Sequence, residues 1–168
     1  MQKNKGFTIF ELVIVMLILA IMSVSVFISI GFLRGIKLTS AAEKLAADIR
    51  FTQSQALSKV LWEGISFEVT PTNKYYVYQT NGTISTPETD PADFRNSLII
   101  NLNDKFGVTI NSVTFQGGGT RVVFNGLGKP YSDYNGTLFT SDGTIVLGLG
   151  TLTRTITITK NTGKVTIQ

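Results

Sequence analysis

The sequence contains no cysteine and no histidine. It therefore has no thiol nucleophile, no disulfide, no imidazole acid–base group and no Cys or His metal ligand. These absences exclude triad hydrolases and ordinary zinc chemistry, and neither a catalytic residue nor a cofactor is expected. The lack of cysteine leaves the compartment open, because an oxidising space permits disulfides without requiring them. Charge is scarce as well, at 15% of residues against about 25% in ordinary soluble domains. Proline is missing from the first 70 residues, so nothing there breaks a helix. A length of 168 residues suits one core plus an accessory segment.

The apolar residues are concentrated near the N-terminus. From Leu12 to Leu33, 22 consecutive residues carry no charge. As a helix this run is about 33 Å long, enough to cross a hydrocarbon core of about 30 Å. Lys3 and Lys5 precede it and Arg34 and Lys37 follow it, a bias that weakly favours a cytoplasmic N-terminus and an exported C-terminal domain. The alternative is a cleaved secretory signal, with Ser23-Val24-Ser25 as the small-x-small site. Against it, the apolar run continues to Leu33 and passes directly into a further helical pattern. Glu11 is the one charge between Lys5 and Arg34. An acid in the bilayer costs up to about 2.5 to 3.5 kcal/mol at a helix centre and less near an interface. Either its carboxylate sits among the headgroups, or it has a cationic partner in the membrane.

Beyond the run, Leu38, Ala41/Ala42, Leu45/Ala46, Ile49, Ala56/Leu57 and Val60 recur at intervals of three and four among polar residues, an amphipathic stripe. The pattern predicts one helix from about Phe7 to about Leu61. Gly31 and Gly35 form a G-x-x-x-G pair, read either as a weak point in the helix or as a helix-contact surface. After Gly64 the period becomes two. Residues 64–69 and 74–80, joined by Pro71-Thr72-Asn73, predict a hairpin. Further strands are expected at 98–102, 108–115, 121–125, 136–139, 144–149, 153–159 and 164–168, with loops at 81–96 and 126–135. The fold class is α+β, an antiparallel sheet domain packed on the amphipathic half-helix.

The segment Lys5-Gly6-Phe7-Thr8-Ile9-Phe10-Glu11-Leu12, followed by the apolar run, resembles the class III signal of type IV pilins and type II secretion pseudopilins. Several features carry the resemblance: a short basic leader ending in Gly, a Phe with Thr beside it, a Glu four residues after that Phe, and an uninterrupted apolar helix. The resemblance implies a type IV pilin-like fold and a division into a leader (1–6), a transmembrane assembly helix (7–33) and an exported domain (34–168). Within that domain, 34–61 would be the amphipathic half-helix and 64–168 the β-rich part. It further implies cleavage between Gly6 and Phe7 by a prepilin peptidase, N-methylation of Phe7, and retention of the apolar segment. For Glu11 it implies pairing with the Phe7 ammonium of a neighbouring subunit. Expected partners are other pilin or pseudopilin subunits, the prepilin peptidase, an inner-membrane assembly platform and membrane lipid. The expected location is the bacterial inner membrane, single-pass, with the C-terminal domain periplasmic or extracellular and incorporated into an envelope filament.

With less specificity, residues 45–58, the Gly64 strand and the ending 154–165 resemble the minor pseudopilin H and FimT-like branch. The absence of cysteine also favours a minor subunit, since major pilins often close their C-terminal region with a disulfide. Many pilins have a helix-kinking proline where this chain has Ile28, so no kink is expected there.

Other candidates are weaker. Some major pseudopilins bind calcium, and Glu88, Asp90 and Asp93 lie in one loop, but their spacing is not that of an EF-hand and Pro91 intervenes. A solvated acidic loop is the simpler reading. Gly117-Gly118-Gly119-Thr120-Arg121 lacks the P-loop spacing and reads as a β-turn. Some FimT-like proteins capture DNA with basic residues near the C-terminus, which here would be Arg154, Lys160 and Lys164. Residues 34–168 carry 13 basic and 10 acidic side chains, a slight excess for binding a phosphate backbone. Three classes result: a structural filament subunit, a minor pilin that binds DNA or another extracellular ligand, and an unrelated membrane-anchored enzyme. The first is favoured.

Overall fold

The computed structural model describes residues 6–59, 61–83 and 85–168, with backbone alone for 24–30. The leader residues Lys3 and Lys5, and Val60 of the predicted stripe, lie outside the described residues. The chain divides into two units, Met1–Ile36 and Lys37–Gln168. Helix α1 runs from Ile9 to Lys59, two residues shorter at each end than the periodicity suggests. It passes through Gly31 and Gly35, where an added Cβ would meet nothing within 4 Å. Every described residue from 6 to 23 is exposed. Among the described residues no helix is long and apolar enough to cross a membrane.

In the second unit α1 turns amphipathic as its pattern demands. Leu38, Ala41, Ala42, Leu45, Ala46, Ile49 and Ala56 are buried, and the alanines let backbone approach closely. Leu57, predicted as part of the stripe, is half exposed; the buried position one turn before Ala56 is instead Thr52, whose hydroxyl donates to the Asp48 carbonyl at 2.8 Å.

The strands follow as β1 (Trp62–Glu68), β2 (Lys74–Thr80), β3 (Ser85–Pro87), β4 (Thr89–Asp90), β5 (Asp93–Ser97) and β6 (Ile99–Asn101). After helix α2 (Leu102–Phe106) come β7 (Thr109–Thr114), β8 (Arg121–Phe124), β9 (Pro130–Tyr131), β10 (Gly143–Leu149), β11 (Leu152–Ile158) and β12 (Val165–Ile167). One sheet has the order β3-β2-β1-β8-β9, with β6 also on β2; a second has the order β12-β11-β10-β7; β4 and β5 form a separate hairpin. All pairings are antiparallel. The predicted β1–β2 hairpin is present, with Ile65 opposite Val77 and Phe67 opposite Tyr75. These four side chains face the core, which joins the α1 stripe to Val122, Phe124, Ile145, Leu147, Ile156 and Ile158.

The structure departs from the sequence reading at four places. The predicted loop 81–96 contains β3, β4 and most of β5. Its prolines misled because β3 is an edge strand, where Pro87 needs to donate to no further neighbour. The predicted strand 98–102 stops at Asn101, whose side chain caps α2 by accepting from the Asn103 and Asp104 amides. Residues 136–139 form no strand, only a single bridge from Leu138 to Tyr131. The predicted loop 126–135 contains β9. The β-turn expected at 117–119 is present: Gly117 and Gly118 have φ of 75° and 73°, and the Gly118 amide donates to the Phe115 carbonyl at 3.0 Å.

Two acids are buried where the pattern gave no warning. Asp48 accepts both contacts of Lys44, each at 2.6 Å, and the hydroxyl of Tyr75 at 2.6 Å. Burial first, and then the neighbouring Asp48 charge, push the Tyr75 phenol up, so it remains a donor. Glu63 is wholly buried on the core side of β1. Its Oε1 lies 3.2 Å from the Lys59 ammonium, which also holds Glu88 at 2.8 Å, while its Oε2 has no hydrogen-bond partner.

Burial, reinforced by the Glu88 charge and opposed by Lys59, pushes the Glu63 carboxyl up to about 7 from 4.5. Between those values the folded chain binds more protons than the unfolded one, so Glu63's contribution to stability is lost as pH rises through that window. Glu63→Gln should therefore gain stability relative to wild type at pH 8 but not at pH 4, by up to roughly 3.5 kcal/mol at about 1.4 kcal/mol per pKa unit. Urea unfolding of both chains at the two pH values measures this, and an equal difference at both would refute it.

Candidate processing and assembly site

Gly6, Phe7 and Thr8 precede the helix and are exposed, and Phe7 is 80% accessible. Thr8 is the N-cap of α1. Its carbonyl accepts from the Leu12 amide at 3.2 Å, closing the first turn, and its Oγ1 accepts from the Glu11 amide at 3.2 Å. In return Glu11 Oε2 accepts from the Thr8 amide at 3.5 Å, a long contact. This reciprocal Thr-x-x-Glu pattern is a capping box, in which side chains satisfy amides that the helix leaves free. It also places the carboxylate at the positive end of the helix dipole. The cap is a role for Glu11 beyond the headgroup placement or cationic partner expected from sequence, although Ser/Thr-x-x-Glu before an apolar run is a readable signal.

Three properties follow from this geometry. The Gly6–Phe7 bond lies in exposed, non-helical backbone, where a peptidase finds no helical hydrogen bonds to break. An added Cβ at Gly6 would meet nothing within 4 Å, so any demand for glycine there is not one of folding. Phe7, Ile9, Phe10, Leu12 and Val13 are each more than half exposed, which leaves an apolar surface around a single acid.

Residues 1–27 match the prokaryotic N-terminal methylation motif. The minor pseudopilin EpsH from the type 2 secretion system of Vibrio cholerae superposes with a TM-score of 0.58 at 10% identity, covering 79% of this chain and 96% of its own. The type IV minor pilin FimU of Pseudomonas aeruginosa PAO1 superposes with a TM-score of 0.52 at 16% identity, covering 82% of this chain and 92% of its own. The chain carries the methylation motif and has the fold of these minor pilin and pseudopilin structures. A search of curated proteins by sequence finds no match.

In this pilin-like chain the other candidates fare differently. The calcium candidates are not brought together as a site. Glu88 is paired with Lys59. Asp90 accepts from the Ala92 amide at 2.8 Å, and Asp93 accepts from the Arg95 amide at 3.2 Å and the Asn96 side chain at 2.7 Å. These are local turn contacts, and among the described residues no three potential ligands gather around one point.

The basic candidates are also dispersed. Lys160 and Lys164 flank the turn after β11, where the Thr159 amide donates to the Lys164 carbonyl at 2.8 Å. Arg154 lies within β11, six residues before Lys160, or about 20 Å along an extended strand. Asp142 accepts from the Lys160 amide at 2.9 Å, bringing an acid to the same turn. Three solvated cations at two separate places are a poor track for a phosphate backbone.

Proposed function

We propose that the chain is a minor pilin or pseudopilin, a non-enzymatic subunit of a type IV pilus or a type II secretion pseudopilus. The observation that carries this reading is the methylation motif on a capped, apolar, exposed helix that continues into a pilin-fold domain. In this reading a prepilin peptidase cuts between Gly6 and Phe7 and methylates the new amine. The uncharged run 12–33 holds the subunit in the inner membrane, N-terminus inside, until an assembly platform feeds it into the filament. Its support is the length of that run in the sequence.

Cleavage would change the electrostatics of the helix start. The new Phe7 ammonium has a reference pKa of about 7.7 to 8.0, so it is mostly cationic at neutral pH. In a bundle of apolar helices the Glu11 carboxylate of one subunit and the Phe7 ammonium of the next would each be costly to bury alone, and pairing offsets that cost. The pair sets the register in which subunits dock.

Intact-mass and N-terminal peptide spectrometry of the mature protein tests the processing step. The expected mature chain begins with N-methyl-Phe7. A chain beginning after Ser25 would show an ordinary secretory signal and overturn the proposal.

A further inference from the structure

The sheet face turned away from the core carries five of the chain's six tyrosine and tryptophan residues. Trp62 packs edge-on against Tyr131 and Tyr134, at 5.0 and 5.1 Å between ring centres. Tyr76 and Tyr78 lie 5.8 Å apart on β2. Beside this pair is a pocket of about 240 Å³ lined by Ser66, Tyr76, Tyr78, Ser85, Thr120 and Arg121. Register explains why they meet: Ser66 on β1 is opposite both Tyr76 on β2 and Arg121 on β8. Gly64, opposite Tyr78, leaves room for the Tyr78 ring, since a Cβ there would stand 2.5 Å from the ring carbon bearing the hydroxyl.

The chemistry of the pocket is specific. Tyr78 is 3% exposed, and its hydroxyl has no hydrogen-bond partner. Burial is the main effect that pushes the phenol up to about 12, so it is a proton donor in need of an acceptor. Arg121, the cation of the pocket, has donors only and cannot be that acceptor. Its pairing with Asp133 is long, at 3.4 Å, and both side chains are half exposed, so the pair is weak. An oxyanion seated here would give Tyr78 the acceptor it lacks and Arg121 a closer counter-charge than Asp133. One cation with an acid beside it matches a monoanion better than a phosphate dianion or a phosphate chain. The remaining lining groups are neutral hydroxyls that both donate and accept, alongside the faces of two rings. The volume is below the roughly 300–1,000 Å³ of pockets for drug-sized ligands, which limits the occupant to about one sugar ring.

We propose that this pocket binds a uronic-acid residue, with its carboxylate between Tyr78 and Arg121 and its ring hydroxyls among Ser66, Ser85 and Thr120. This gives the domain a glycan-binding role beyond that of a filament subunit. The test uses the full chain in detergent micelles, titrated with D-glucuronate, D-glucose and inorganic phosphate by calorimetry. Saturable glucuronate binding in the millimolar range is expected, with neither comparator matching it. Tyr78→Phe removes one buried hydroxyl that has no hydrogen-bond acceptor in the folded chain. It should keep the wild-type melting temperature and weaken glucuronate binding about tenfold or more, as for a lost hydrogen bond to a charged group. Arg121→Gln should reduce binding at least as far. Glucose binding as tight as glucuronate, phosphate binding as tight or tighter, no saturable glucuronate binding, or indifference to Tyr78→Phe would each overturn the proposal.

Discussion

Glu11→Ala is expected to leave membrane insertion and cleavage after Gly6 intact while reducing incorporation into the filament at least tenfold. The apolar run that inserts and the Gly6–Phe7 bond that is cut both survive the substitution. What disappears is the carboxylate, and with it the counter-charge for a neighbour's Phe7 ammonium. Leaving one charge of a buried pair uncompensated costs about 3 to 5 kcal/mol, enough for a large loss of assembly. The cap contributes less: the Thr8 amide reaches Glu11 at 3.5 Å, and loss of a whole cap costs only about 1 kcal/mol. Glu11→Gln separates the two roles, because an amide oxygen still caps but carries no charge. Immunoblots of membrane and sheared-filament fractions should show both variants processed and both depleted from filaments. Normal co-assembly of Glu11→Gln would rule out the ion pair, and normal co-assembly of Glu11→Ala would remove Glu11 from assembly altogether.

Asp48→Ala is expected to cause the largest loss of stability of any polar substitution on α1, about 3 kcal/mol. Asp48 is 7% exposed and serves Lys44 and Tyr75 at once. Its removal leaves the Tyr75 hydroxyl buried without an acceptor, which costs about 1 to 3 kcal/mol, and strips Lys44 of its counter-charge. Lys44 is about one-third exposed and can turn its ammonium to water, which keeps the total below that of a fully buried broken pair. Tyr75→Phe removes the hydroxyl together with its need for a partner, so adding it to Asp48→Ala should recover part of the loss. Urea denaturation of the two single variants and the double variant measures this coupling. Additive losses, or a loss below about 1 kcal/mol for Asp48→Ala, would show that the network contributes little.

Much of the fold was legible because it depends on neighbours in the chain. The three-and-four spacing of Leu38, Ala42, Leu45 and Ile49 needs only helix geometry to place those side chains on one face. The β1–β2 hairpin follows in the same way from alternation on both sides of a short turn. Thr8 and Glu11 are three residues apart, so the capping box was within reach of the sequence. The misread segments are those whose structure is supplied from elsewhere. β3 exists because β2 offers it an edge, and Leu102 leaves its strand because Asn101 caps a helix there instead.

The sequence by itself determined the apolar helix start, the placement of a single acid four residues after Phe7, and the absence of thiol and imidazole chemistry, since each is a matter of composition or local spacing. Tertiary structure alone decided which polar groups meet. It buried Asp48 and Glu63 while leaving Glu43 exposed, separated Arg154 from Lys160, and drew Ser66, Tyr78 and Arg121 from three strands into one pocket. The physical reason is strand register: it joins residues distant in sequence, and no periodicity within one segment encodes its partner.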